Sequence, residues 1–178
     1  MRVFLATAAA FLAIAPGMAQ AAEPPCITSG EFSSLASFAL PSALGGATKR
    51  CSTVLGPSSY MRSSGAQLIE RYAAGKQQAW PEARAAFIKL SSSSDDRASN
   101  ILKDLPDKNL QDMLNLMLEG MVSQEIPPEK CDTIDQFVRL LAPLPPENMA
   151  ELIGLTVGLV GNNKSGDGMA SKINICQN

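Results

Sequence analysis

The sequence predicts an all-α fold, a compact bundle of six or seven helices with a duplicated helix-turn-helix unit in its C-terminal half and two disulfides. Three observations carry that expectation. Apolar residues recur at helical spacing, and no long stretch alternates with the period of a strand. The run from Leu105 to Val122, LPDKNLQDMLNLMLEGMV, is written again from Leu144 to Gly161 as LPPENMAELIGLTVGLVG. Four cysteines, an even number, are spread from Cys26 to Cys176.

The chain of 178 residues opens with one charge, Arg2, and then an uncharged apolar run from Val3 to Ala15. Ala19-Gln20-Ala21 follows as a small-residue site, so residues 1–21 read as a secretory signal cleaved before Ala22. The run is shorter than the ~20 apolar residues of a spanning helix, which argues against an anchor. The remainder, 22–178, is the length of a single all-α domain with its own core. The expected location is the periplasm or the secreted medium.

Thr28 followed by Glu31 has the form of a capping box, with Phe32, Leu35, Ala36, Ala39 and Leu40 at helical spacing behind it. Pro41 is expected to end or kink that helix, and Gly45-Gly46 weakens its resumption over Ser42 to Cys51. After the turn at Gly56-Pro57-Ser58-Ser59, a surface helix is predicted from about Tyr60 to Ala79. Trp80-Pro81-Glu82 then restarts a helix with proline at its first position. The serines from Ser91 to Ser94 read as a loop, with Ser94 as the cap of the next helix.

In the duplication, Leu105 aligns with Leu144, Pro106 with Pro145, Asn109 with Asn148 and Leu116 with Leu155. Asp112/Glu151, Met113/Leu152 and Leu114/Ile153 are conservative pairs, and Ile101-Leu102 falls on Leu140-Leu141. On a helical wheel the Lys108 to Val122 segment has an apolar arc of roughly 240°. Only Lys108, Asp112, Asn115 and Glu119 form a polar edge, so this helix is expected at the centre of the bundle. In the second unit Gly154 and Gly158 take the places of Asn115 and Glu119, a spacing that favours close helix packing. Beyond Gly161 comes a glycine- and asparagine-rich loop. Ile173 and Ile175 then alternate, as in a short extended segment returning Cys176 to the body.

Oxidising compartments favour disulfides between Cys26, Cys51, Cys131 and Cys176. Of the three pairings, Cys26 with Cys51 and Cys131 with Cys176 is the expectation, each closing one end of the chain. The close C-x2-C spacing of a zinc site is missing.

Several function classes are excluded by composition. Histidine is absent, which removes Ser-His-Asp and Cys-His catalysis and every histidine-ligated metal. Lys and Arg number 15 against 17 Asp and Glu, a mildly acidic balance that gives no electrostatic attraction to nucleic acid. Nucleotide-binding glycine loops and nucleophile elbows are also missing. Read as a calcium loop, Asn163, Ser165, Asp167, Gly168 and Asn174 offer one carboxylate, too few for the ion.

Met113, Met117 and Met121 stand four apart on one helix edge. The simplest reading is core filler; the alternatives are a pliable groove and a soft-metal site for Cu(I). Arg71, Arg84 and Arg97 would make an anion site only if the fold gathered them, and Tyr72 with Trp80 an aromatic platform or a locked helix junction. No catalytic residue, metal or cofactor is assigned. The resulting expectation is an exported, non-enzymatic binding or interaction module for an unknown protein or a small apolar ligand. It has no nucleic-acid partner and no membrane span after signal removal. The alternative is a carboxylate-dependent envelope hydrolase, which plentiful Asp and Glu would permit.

Overall fold

The computed structural model describes residues 26–92, 96–161 and 175–176. The predicted signal segment with its cleavage site, the Ser94 cap and the loop from Asn162 with its calcium-site reading lie outside those residues. Seven α-helices are described: α1 Ser29–Cys51, α2 Tyr60–Ala73, α3 Lys76–Ser92, α4 Asp96–Asp104, α5 Asp107–Glu125, α6 Cys131–Leu141 and α7 Pro146–Gly161. A 3-10 turn at Pro128–Lys130 leads into α6. The fold is all-α, as the periodicity predicts. No helix among the described residues is long and apolar enough to cross a membrane.

The centre of the bundle is α1, not α5. It begins at the expected capping box: Glu31 N donates to Thr28 Oγ1 at 3.1 Å and Thr28 N donates to Glu31 Oε2 at 2.7 Å. It then runs without interruption to Cys51, with Pro41 inside it. Pro41 has no amide to give the carbonyl of Ser37. That loss is offset because α1 is packed by α2, α3, α5 and α7, and Pro41 itself is buried. The glycines expected to weaken α1 are where α5 crosses it. A methyl group on Gly46 would overlap the carbonyl oxygen of Glu119 and lie 3.1 Å from Val122 Cβ.

A second proline also falls within a helix. The break expected at Trp80-Pro81 comes earlier, at Ala74 and Gly75, and α3 carries Pro81 inside it. Trp80 faces α1 instead of Tyr72, its ring 4.9 Å from that of Phe38. The start of α2 is capped from α6, where Asp135 accepts from the amides of Tyr60 at 3.1 Å and Met61 at 2.7 Å.

The disulfides join Cys26 to Cys176 and Cys51 to Cys131, which overturns the pairing expected from sequence. The reason is geometric. An unbroken α1 separates Cys26 from Cys51 by roughly 35 Å at 1.5 Å per residue, far beyond disulfide reach. Each cysteine therefore finds a distant partner. Cys51 at the end of α1 meets Cys131 at the start of α6. Cys26 meets Cys176 beside a parallel bridge between Ile27 and Ile175, where Cys176 N donates to Ile27 O at 2.9 Å. The return of Cys176 to the body is as predicted.

The duplication is realised as α4-turn-α5 and α6-turn-α7, and the two units are fastened alike. Leu110 N donates to Pro106 O at 3.0 Å, and the aligned Met149 N donates to Pro145 O at 3.1 Å. Arg84 of α3 donates to the carbonyls of Lys103 at 2.8 Å and Leu105 at 3.4 Å. At the aligned carbonyls, Arg71 of α2 donates to Ala142 and Tyr72 Oη donates to Leu144 at 3.2 Å. These two arginines thus close two separate turns and do not form a common anion site.

Candidate functional site

The orientation of α5 decides what the molecule shows to solvent. Two residues of its polar edge, Asn115 and Glu119, face α1, while Lys108 and Asp112 pair with each other in solvent. Asn115 Oδ1 accepts from Ser42 Oγ at 3.1 Å and from Lys76 Nζ at 2.6 Å, and Lys76 Nζ also donates to Ser42 Oγ at 3.2 Å. One turn on, Glu119 pairs with Lys49 at 3.3 Å. Lys76 lies 4.6 Å from the centre of the Phe38 ring, and burial pulls its pKa below the usual lysine range. With these polar groups turned inward, Leu110 and Leu114 are buried against Phe38, Trp80 and Ala83.

Away from α1, α5 exposes several apolar side chains, beside exposed Asn109 and the Lys108–Asp112 ion pair. Met113, Met117 and Met121, expected in the core, stand on this solvent side together with Leu116. The expectation fails because a wheel shows only which residues share a side. Which side is buried was decided by Ser42, Gly46 and Lys49 on α1.

The second unit repeats much of this arrangement, although exposed Thr156 stands where the first has Met117. Gly154, aligned with Asn115, also faces α1: a methyl there would lie 3.4 Å from the ring of Phe32. The close packing expected of Gly154 is therefore present, whereas the surroundings of Gly158 lie outside the described residues. Met149 and Ile153, aligned with Leu110 and Leu114, point inward. On the solvent side the aligned pairs match closely. Ile101 is 65% exposed and Leu140 71%; Met113 is 41% and Leu152 42%; Leu116 is 73% and Leu155 67%. Of these six residues the alignment had paired all, but nothing in the residues alone marked them as outward-facing.

Beneath the second unit lies a cavity of about 210 Å³, bounded by Leu40 and Leu44 of α1, Leu68 and Tyr72 of α2, and Met149 and Ile153 of α7, with α6 completing the wall. Its surface is almost wholly apolar. The phenol of Tyr72 is engaged with the Leu144 carbonyl, and burial raises its pKa, so it stays protonated. What sets this unit apart is that it closes over one buried ring, Tyr72, where the first closes over two.

Several of the acids have structural duties. Glu31 pairs with Lys89 at 3.1 Å, Asp107 with Arg84 at 3.0 Å and Asp112 with Lys108 at 2.7 Å, while Asp135 caps α2 and Glu82 accepts from Ser34 at 2.7 Å. The Glu31 carboxyl is held below the usual range, mainly by the Thr28 amide and further by Lys89. Among the described residues, no group of three His, Cys, Asp or Glu could hold a metal ion. Comparison with protein-family models, with curated proteins and with solved structures returned no match.

Proposed function

We propose that this chain is an exported, non-enzymatic interaction module that holds another polypeptide against the solvent-facing apolar sides of its two helical hairpins. The observation that carries this reading is the matched exposure of Ile101/Leu140, Met113/Leu152 and Leu116/Leu155. Single exposed apolar residues are ordinary on any protein surface. A set kept apolar twice, at positions where polar side chains would cost the fold almost nothing, calls for a contact outside the chain.

The spacing suggests the kind of contact. In each unit two of the exposed apolar residues stand three apart and so share one side of a helix, a side that can pack against the apolar side of a partner's amphipathic helix. Met113 of the first set, with Met117 and Met121 further along the same helix, adds adaptable surface, as at interfaces that accept varied apolar partners. Export is supported by the apolar run from Val3 to Ala15 and by two disulfides, which persist in oxidising compartments. A periplasmic location fits the same observations.

The test is photo-crosslinking in the exporting cell from a benzoylphenylalanine placed at Leu116 or at Leu155, with exposed Gln78 as the control position. Crosslinks to a polypeptide from both apolar positions, and not from 78, are expected. Equal yields from all three positions, or none from 116 and 155, reject the reading.

A further inference from the structure

We propose that the cavity between α1, α2, α6 and α7 is a binding site for a small uncharged hydrocarbon about the size of one aromatic ring. This site is separate from the exposed hairpin sides, and neither reading needs the other.

The argument starts from the duplication. In the first unit Leu110 and Leu114, with Leu102 and Leu105 beside them, close over Phe38 and Trp80. In the second unit the aligned residues Met149, Ile153, Leu141 and Leu144 close over Leu40, Leu44, Leu68 and Tyr72. The first unit has two buried rings in tilted contact, Phe38 and Trp80; the second has one buried ring, Tyr72, tied by its hydroxyl to Leu144, with Tyr60 only partly buried beside it. The space left is about 210 Å³. An enclosed apolar cavity of ~150 Å³ takes up benzene, so this half-open pocket has room for a ring with one or two added carbons.

The wall sets the chemistry of the occupant. Its side chains are aliphatic apart from the Met149 thioether and the Tyr72 ring, and no charged side chain lines it. A carboxylate or ammonium would find no partner among the lining side chains, and Arg71, the guanidinium over the Tyr72 ring, is already engaged with the Ala142 carbonyl, so charge disfavours a ligand that shape alone would accept. Filling the space restores the contacts that lining atoms lack on their open side.

The experiment is a toluene titration of the full disulfide-bonded protein, followed by methyl NMR and by thermal unfolding. Saturable shifts are expected at the methyls of Leu44, Leu68, Met149 and Ile153, with a rise in the melting temperature. Benzoate should bind at least tenfold more weakly. Ala142→Leu and Leu44→Phe each fill the space from a different side and should weaken toluene binding at least tenfold while the protein remains folded. Absence of saturable shifts, shifts centred on other methyls, equal binding of benzoate, or unaltered affinity in folded filling variants would overturn the proposal.

Discussion

Gly46 of α1 lies directly against the main chain of Glu119, and this contact sets how near α5 comes to the central helix. Any β-carbon at position 46 meets a backbone carbonyl, which cannot rotate away as a side chain would. Gly46→Ala should therefore destabilise the protein by about 1–3 kcal/mol despite the better helix propensity of alanine. Gly120→Ala is the control, since a methyl there meets nothing within 4 Å. Urea denaturation of both variants checks the pair; equal stabilities would contradict the close crossing.

Asn115 is the acceptor that lets Lys76 remain among three helices. Asn115→Leu removes that oxygen and leaves a half-buried ammonium with Ser42 alone, so a loss of roughly 1–3 kcal/mol is expected. Lys76→Met in the Asn115→Leu background should recover part of the loss. A double-mutant cycle measures the coupling, and strict additivity would show that the contact contributes nothing.

The exposed pairs separate fold from function. Leu116→Lys and Leu155→Lys should alter stability by no more than ~0.5 kcal/mol, whereas Leu110→Ala and Met149→Ala should cost about 2–5 kcal/mol. Crosslinking to a polypeptide should respond in the opposite order. Chemical denaturation distinguishes the two classes, and a large loss from Leu116→Lys would place that side chain in the core.

The pH dependence has a defined contribution from Glu31. Its carboxyl titrates lower in the folded chain than when unfolded, so its stabilisation is fully present above the usual carboxylate pKa. It is lost as pH falls through the lowered value. Glu31→Gln keeps the reach of the capping box but not the charge that meets Lys89. The variant should be less stable by under about 1 kcal/mol at neutral pH, and the difference should narrow as pH falls below the carboxylate range. Denaturation midpoints from pH 7 to pH 3 test the sign; a gap that widens on acidification would refute it.

Non-reducing peptide mapping should return Cys26 with Cys176 and Cys51 with Cys131, and a Cys26–Cys51 peptide would be incompatible with a continuous α1. The bridges span 150 and 80 residues of chain, so the chain-entropy model assigns each a contribution of ~4–5 kcal/mol. Paired serine variants at 51 and 131 should show a loss of that order in urea.

What the sequence revealed was what depends on neighbours in the chain. The Thr28/Glu31 cap and the two hairpins were legible because each involves residues a few positions apart. Pro41 and Pro81 were misleading for the same reason, since both read as breakers until helices packed around them outweigh one missing hydrogen bond. The direction in which α5 points rests on Ser42, Gly46 and Lys49, distant residues that no wheel of α5 contains. The cysteine pairing failed with the break at Pro41. The cavity was invisible because it depends on how many rings the fold buries under each unit, two under the first and one under the second.

The clasp between Cys26 and Cys176 also has a mechanical consequence. Tension applied to the flanks outside those two residues would pass through one sulfur–sulfur bond, leaving the helices between them unloaded. In an oxidising environment the bundle would keep its shape while its ends were pulled. Once reduced, the same tension would act on α1, and unfolding would begin from the tether.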